Sequence, residues 1–266
     1  MEKPIYHQST LNQFEYCGWN YYLSVIEQKP RIGSVFTARG SGCHTARKVN
    51  LRQKIRSKKN LLLSDCQDAA RDYVAKEISD DKIDLKTGEL ILLSKKRAKA
   101  NLVDTTVKLV TADYDGLHSK IMPVEVEISK DIELKNWPFN LSGTLDCVDA
   151  KSGINDLKIT KMVWSQDKAD EAYQPAVYSL LYKVHAGKNA SSFGYHIVQY
   201  SSRTYRTKTY PVITVITDER ILSVLRRFNA MHEAIKAGIF PPANSGTWKC
   251  SPTWCEQYHN CKYVRK

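Results

Sequence analysis

The sequence GTLDCVDAKSGINDLKIT, from Gly143 to Thr160, predicts two short β-strands joined by a Lys-Ser-Gly turn. The first strand carries Asp146 among apolar and small residues, and the second carries Asp156 and, two positions later, Lys158. Because side chains at positions i and i+2 of a strand point to the same face, Asp156 and Lys158 should lie side by side. Strands disfavour acidic and lysine side chains, so this placement indicates a requirement beyond folding.

Two interpretations account for these three residues. Carboxylates on neighbouring strands can share a divalent metal, and oxygen-rich sites favour magnesium or manganese. Such a metal activates water and neutralises charge on a phosphate, and Lys158 could orient that water or stabilise the charge. Alternatively, Asp146 and Lys158 form a cross-strand ion pair at an exposed sheet face, worth less than about 1 kcal/mol. The spacing alone does not separate the two.

The composition describes a folded chain with a sizeable core. It has 266 residues, of which 42% are hydrophobic and 10% aromatic. No apolar run approaches the roughly 18 residues that a membrane span needs, and MEKPIYHQST lacks the apolar segment of a signal peptide. We therefore expect a soluble cytoplasmic protein with no membrane partner.

The charge balance favours a polyanionic partner. Forty Lys and Arg residues against 28 Asp and Glu give a net charge of +12, which is typical of proteins that bind nucleic acid. The segment from Arg47 to Lys59, which includes Lys48, holds seven basic residues and no acid, and SKKRAK follows at 94–99. On a helix, such a segment would present a dense stripe to phosphates. The alternative is an ordinary solvated helix face.

The order of the elements predicts one α/β domain over residues 1–266, with a mixed β-sheet flanked by helices. Helical periodicity extends over 8–28 (with Ser9 as N-cap), most of 34–115, the segment from Asp167, and Asp218–Ala237. Strand-like segments are IMPVEVEIS, FNLSGTLDCVDA, INDLKIT, SFGYHIVQY and YRTKTYPVITV. Residues 45–115 are interpreted as a basic helical insertion, and 241–266 as a Cys-rich tail.

Two further segments carry polar residues at suggestive positions. The sequence AYQPAVYSLLY places Gln174 and Tyr178 four residues apart on a predicted helix, at the edge of its apolar face. Upstream, His44 follows Gly-Ser-Gly, which we interpret as a turn immediately before the basic helix. A lone histidine is usually a surface or hydrogen-bonded structural residue, so this position carries weight only in combination with the others.

In combination, these features resemble the RecB-like branch of the PD-(D/E)XK nucleases, which includes CRISPR-associated RecB-like exonucleases and phage recombination exonucleases. The G-x-x-x-H element of that family is similar to Gly40–His44, and its G-x-x-D strand is similar to Gly143–Asp146. Its D/E-x-K strand matches Asp156–Lys158, and its Q-x-x-x-Y helix matches Gln174–Tyr178. The resemblance covers roughly residues 8–262, and it rests on the order of four motifs that are individually unspecific.

The resemblance implies a restriction-endonuclease-like core and a DNA exonuclease that uses magnesium or manganese, acting in recombination, repair or phage DNA processing. Carried over residue by residue, it implies metal ligation by His44, Asp146, Asp156 and the Leu157 carbonyl, catalysis by Lys158 with the two aspartates, and DNA contact or bracing of the site by Gln174 and Tyr178. Arg47 and Lys48 are expected to bind DNA or brace the site.

Further expectations concern an acid on the preceding strand, a partner protein and the competing functions. Glu125 or Glu127 could supply an acid on the preceding strand, although alternating glutamates are ordinary strand patterning. A single-strand annealing protein is a partner that the family resemblance alone implies. The competing functions are an inert nuclease fold that only binds DNA and a basic zinc-binding scaffold. The presence of Asp146, Asp156 and Lys158 argues against an inert site.

The cysteines are unevenly placed. Three of them, Cys43, Cys66 and Cys147, are expected to be small buried hydrophobes. Cys17 stands alone near the start, whereas Cys250, Cys255 and Cys261 lie within the last 17 residues. A cytoplasmic chain is not expected to use these for disulfides, so a metal or cluster site is the better interpretation.

The resemblance implies a 4Fe-4S cluster that ties the chain ends together through Cys17 and the three tail cysteines. The match is imperfect, because four residues separate Cys250 from Cys255 where the family usually has C-x2-C. Four thiolates suit zinc equally well, with His259 as a substitute ligand. The third possibility is a set of unliganded cysteines in a packed tail.

Overall fold

The computed structural model describes residues 2–30, 33–85, 90, 92–201, 204, 206–252 and 254–264. Its strands are β1 (Ile5–His7), β2 (Gly33–Ser34), β3 (Ile83–Asp84), β4 (Pro123–Ile132), β5 (Asn140–Asp149), β6 (Gly153–Thr160), β7 (Ser192–Tyr200) and β8 (Thr207–Thr214). Its helices are α1 (Gln8–Tyr16), α2 (Gly18–Tyr21), α3 (Val35–Ser57), α4 (Leu63–Ser79), α5 (Lys95–Gly116), α6 (Gln166–Glu171), α7 (Gln174–Ala186) and α8 (Asp218–Lys236). A π-helical turn at Tyr22–Ile26 and short 3-10 turns at His118–Lys120 and Tyr258–Asn260 complete the order.

Six of the strands form one mixed sheet. Five of them follow the order β1-β5-β6-β7-β8, and the sixth, β4, pairs antiparallel with β5 on the edge of β5 away from β1 and β6. The strands β6 and β7 are parallel, as are β1 and β5, whereas β5–β6 and β7–β8 are antiparallel. Helices cover both faces of the sheet, so the predicted mixed α/β fold is confirmed.

Each face of the sheet has its own apolar core. Alternate residues of the central strands, such as Leu145 and Ile197, pack with α1, α7 and α8 in the larger core. Leu157 and Val198 face the opposite way and pack with α3, α4 and α5, where Cys43 and Leu109 are fully buried. The site-bearing strand β6 is therefore held between two helical layers.

The first predicted helix, over 8–28, is broken at Cys17. Its backbone there is extended, with φ −158° and ψ 98°, and it separates α1 from α2. His7, rather than Ser9, occupies the N-cap position. The sequence prediction also missed β1, a three-residue strand that pairs with β5.

His44 does not follow a turn, because Gly40, Ser41 and Gly42 are helical and belong to α3. Close packing explains the glycine at position 42: a Cβ there would lie 2.9 Å from Thr106 Cγ2 and 3.0 Å from Val74 Cγ2. Gly42 thus lets α3 approach α4 and α5. As a result, His44 projects from the middle of a long helix, which begins before the predicted insertion at 45–115.

The Cys-rich tail, at 241–266, was expected to contact the N-terminal helix. In the described residues it does so through the hydroxyls of Tyr16 and Thr247, 2.6 Å apart, and through the ring of Trp19 against Tyr263. Among the helices that the structure describes, none has both the length and the apolar character required to cross a membrane.

Candidate active site

The site lies where β5 and β6 part from each other. These strands pair only at Cys147–Asn155 and Val148–Ile154, whereas β6 continues alongside β7 over its full length. Beyond the last pair, the Asp146 carboxylate takes the place of a backbone acceptor, and the Leu157 amide donates to its Oδ2 at 3.3 Å. The divergence thus leaves the Asp146 carboxylate in contact with strand β6 at Leu157, next to Asp156 in the chain.

Asp156 is held from two sides. Lys158 Nζ lies 2.7 Å from Asp156 Oδ2, which confirms that the two side chains share a face of β6. Gln174, the first residue of α7, donates from Nε2 to Asp156 Oδ1 at 2.6 Å. Asp156 is 2% exposed; burial and the charge of Asp146 raise its pKa, and Lys158 only partly offsets the rise.

His44 and Asp146 form a second pair beside the first. His44 Nδ1 lies 3.0 Å from Asp146 Oδ2, and the side chains are 38% and 23% exposed. Burial alone would lower the pKa of His44, but the Asp146 charge outweighs it and leaves the pKa raised. Burial likewise acts to raise the pKa of Asp146, yet His44 and Lys158 leave it lowered. Each partner therefore favours the charged form of the other.

Tyr178 braces the helix against the strand that carries Asp146. A Cβ at Gly143 would lie 2.7 Å from Leu181 Cδ1 and 3.2 Å from Tyr178 Cε1, so a larger residue here would displace side chains of α7. The Tyr178 ring also contacts Phe193, with centroids 6.1 Å apart. The first glycine of the G-x-x-D motif thus has a packing role in this chain.

Arg47 faces the interior. Its guanidinium, 2% exposed, donates from Nε to Asp113 Oδ2 at 3.0 Å and from Nη2 to Oδ1, which ties α3 to α5. Lys54 is also buried and donates to the Ser119 carbonyl at 2.6 Å. The expected dense basic stripe on this helix is therefore interrupted, because tertiary packing turns Arg47 and Lys54 inward. Arg47 was expected either to bind DNA or to brace the site. Its buried position is compatible with bracing and not with contact to DNA.

Lys48 and the glutamates of β4 meet at the surface. Lys48 Nζ lies 3.0 Å from Glu127 Oε1, and Arg52 lies 2.8 Å from the other oxygen. Glu125 pairs instead with His185, at 2.6 Å. The described contacts of both glutamates are thus with basic side chains outside the Asp146–Lys158 group.

The donor types around Asp146 and Asp156 suit a hard divalent cation, since they are carboxylates on adjoining strands beside a backbone carbonyl. Asp156 Oδ2 is buried, and Lys158 Nζ is its ion-pair partner at 2.7 Å. Within the described ranges, no group of three or more His, Cys, Asp or Glu side chains is already placed to hold a metal ion. In this arrangement His44 and Lys158 occupy one carboxylate each.

A cleft opens onto Lys158 and Gln174, with a volume of about 710 Å³. Aromatic side chains that the sequence analysis overlooked line it, namely Tyr16, Trp164, Tyr173 and Tyr195. The tryptophan in KMVWSQ, directly after the strand of Lys158, was the available clue.

The four cysteines Cys17, Cys250, Cys255 and Cys261 line one narrow cavity between α2 and the tail. Cys17 Sγ accepts from the Ala243 amide at 3.3 Å and the Asn20 amide at 3.4 Å. The structure therefore brings the four thiols to one place without arranging them as a metal cage. The other three cysteines are buried, as predicted.

Comparison with known proteins adds a family and a fold. The family model of the PD-(D/E)XK nuclease superfamily matches residues 8–263. A crystal structure from Eubacterium rectale, described as that of a "putative exonuclease", aligns with a TM-score of 0.59 at 13% identity, covering 98% of this chain and 89% of that chain. The protein SSO0001 aligns over 97% of this chain and 96% of its own at 12% identity, with a TM-score of 0.35. No curated protein sequence matches the chain significantly. At these identities the structural likeness concerns the fold alone.

Proposed function

The chain belongs to the PD-(D/E)XK nuclease superfamily, and from this premise we propose that it is a metal-dependent DNA exonuclease of the RecB-like branch. The observation that carries the proposal is the convergence of Asp146, Asp156 and Lys158 at the parting of β5 and β6, with His44 joined to Asp146 at 3.0 Å. The superfamily generally uses divalent metals such as magnesium or manganese. The net charge of +12 supports DNA as the substrate.

Asp146, Asp156, His44 and the Leu157 carbonyl are the groups that would hold the cation. When bound, a magnesium or manganese ion supplies an activated water and neutralises charge on the scissile phosphate. In the structure His44 contacts Asp146 and Lys158 contacts Asp156. The ammonium of Lys158 would orient the attacking water or stabilise the phosphate charge.

The neighbouring residues fix the carboxylates. Gln174 donates a hydrogen bond to Oδ1 of Asp156. This bond fixes the orientation of the carboxylate and therefore the direction of Oδ2. Tyr178 and Gly143 seat the start of α7 against β5, and Arg47 anchors α3, which carries His44. Preorganisation of this kind lowers the reorganisation needed during phosphodiester hydrolysis. Lys48, 35% exposed at the surface, is placed to reach DNA if it exchanges Glu127 for a phosphate.

The biological setting follows from the family resemblance. Recombination, repair or phage DNA processing, and a single-strand annealing protein as partner, are the settings in which such exonucleases act. At the chain ends, Cys17, Cys250, Cys255 and Cys261 would hold a 4Fe-4S cluster, with zinc as the lesser alternative. Their common cavity and the amide donors to Cys17 support a thiolate site. Anaerobic purification tests it: bound iron with visible absorbance supports the cluster, and protein free of iron and zinc contradicts both.

The test of the main proposal uses linear and covalently closed circular DNA, labelled at 5′ or 3′ ends where ends exist. Incubation in magnesium, manganese or EDTA should release nucleotides from linear DNA only, and only with metal. Asp156→Ala should abolish this release, whereas the exposed helical Asp72→Ala should not. Cleavage of closed circles would make the enzyme an endonuclease. Binding without cleavage in either metal would indicate an inert DNA-binding module.

A further inference from the structure

A cluster of aromatic rings lies on the surface where the Cys-rich tail meets the start of α3. Phe36 and Trp254 are stacked, with centroids 5.0 Å apart and planes 12° from parallel. Trp248 meets Trp254 edge-on at 5.2 Å. Together with Tyr16 and Lys249, these three rings are called the tail platform below.

The rings of the tail platform remain in contact with solvent. Trp248 is 64% exposed and Trp254 is 47% exposed, although tryptophan is usually well buried in a folded domain. An exposed aromatic cluster of this kind marks a binding surface. Packing of the tail alone would have favoured turning these rings inward.

Two lysines, Lys249 and Lys161, contact the aromatic rings of the tail platform. Lys249 Nζ lies 4.3 Å from the centre of the Tyr16 ring and 5.5 Å from that of Trp248. Lys161 Nζ, from the segment just after β6, lies 4.7 Å from the Phe36 ring. Alternating aromatic faces and ammonium groups suit unpaired nucleic acid, because bases stack on the rings while phosphates contact the cations. Glu256 lines a cavity together with Tyr16, Lys249 and Trp254, so the platform is not uniformly basic.

The tail platform and the cleft that contains Lys158 share one residue, Tyr16. Tyr16 lines a cavity of about 330 Å³ together with Lys249 and Trp254. It also lines the cleft of about 710 Å³ that contains Lys158. The two surfaces are therefore neighbours at Tyr16.

We propose that the tail platform binds unpaired nucleotides of a single DNA strand whose end enters the catalytic cleft. The bases of a duplex are stacked on each other and offer their faces only at the ends, so a duplex would gain little from exposed rings. Delivery of the strand to Lys158 rests on the proposed nuclease function. Stacking of bases on Trp248 and Trp254 is independent of that function.

The test compares the affinity of the full-length protein for an oligothymidylate and for a blunt hairpin duplex, both in EDTA so that no cleavage occurs. Trp248→Ala and Trp254→Ala should each weaken binding of the single strand at least about fivefold, given the usual contribution of one stacked base. Binding of the duplex should change less than twofold. Trp248→Phe should restore most of the affinity, since a phenyl ring also stacks. Leu222→Ala, which truncates an apolar side chain 40% exposed on α8, is the matched control.

Unchanged single-strand affinity in both tryptophan variants would overturn the proposal. Equal losses for single strand and duplex would also overturn it, because they would indicate loss of fold or of general charge attraction. If the wild type cuts DNA but these variants bind normally, only the tail platform fails. If the wild type binds single strands through the tryptophans yet cuts nothing with metal, only the proposed nuclease fails.

Discussion

The buried ion pair between Arg47 and Asp113 provides a quantitative test of how α3 is anchored. The side chains are 2% and 3% exposed and are joined by two hydrogen bonds. Asp113→Leu would leave the guanidinium buried without its counter-ion. Such a loss typically costs about 3–5 kcal/mol, a large fraction of the roughly 5–15 kcal/mol by which domains are stable.

The measurement is urea unfolding of four proteins: wild type, Asp113→Leu, Arg47→Met and the double variant. Each single variant should lose about 3–5 kcal/mol in the free energy of unfolding. The double variant should recover most of that loss, because replacing both members of a buried pair with apolar side chains is often nearly neutral. The double-mutant cycle then gives the coupling energy directly.

Two results would refute this reasoning. A cost below about 1 kcal/mol for Asp113→Leu would mean that the pair is solvated in solution. A double variant that loses as much stability as the two single variants together would mean that the two residues are not coupled.

DNA binding by the same variants adds an independent check. The double variant should bind DNA as the wild type does, whereas a salt dependence reduced by about one ion would indicate that Arg47 contacts a phosphate.

Three further variants probe other parts of the structure. Gly143→Val should destabilise the fold by about 1–3 kcal/mol in urea unfolding, since even a Cβ would lie 2.7 Å from Leu181 Cδ1; stability equal to wild type would contradict the close packing. Gln174→Ala should lower the rate of DNA cleavage about tenfold or more while DNA affinity is kept, because Asp156 loses a hydrogen bond; an unchanged rate would exclude a positioning role. Burial lowers the pKa of His118 to about 4, below the unfolded value of about 6.5, so the unfolded state binds more protons between these pH values. Stability should therefore be complete above about pH 6.5 and fall towards pH 4, less steeply in His118→Gln than in wild type; identical pH profiles would contradict this assignment.

The sequence predicted the central hairpin well. Asp156 and Lys158 lie two residues apart in a strand, and this spacing fixes their common face whatever the rest of the chain does. The glycine-containing turn and the alternation of apolar residues defined β5 and β6 closely. The helix predicted from Asp167 is instead divided: α6 ends at Glu171 and α7 begins at Gln174, so local periodicity placed Gln174 on a helix but did not place it at the start of one.

Tertiary packing decided what the sequence could not. Gly40–Gly42 has the composition of a turn, but close contact of α3 with α4 and α5 makes it helical. Seven basic residues within the 13 positions 47–59 predicted an exposed stripe, yet Arg47 is turned inward by an acid 66 positions away in the chain. The parting of β5 and β6, which brings Asp146 to Asp156, depends on the pairing of β6 with β7 and has no local sequence pattern.

The most direct test of the catalytic assignment is single-turnover cleavage of linear DNA by Lys158→Ala, with DNA affinity measured in parallel. Lys151→Ala, an exposed lysine in the turn of the same hairpin, is the matched control. We expect Lys158→Ala to cut at least about 100-fold more slowly in magnesium, on the scale of losing one transition-state contact, and to bind DNA within twofold of wild type. Cleavage by Lys158→Ala at the rate of wild type and of Lys151→Ala would contradict the account.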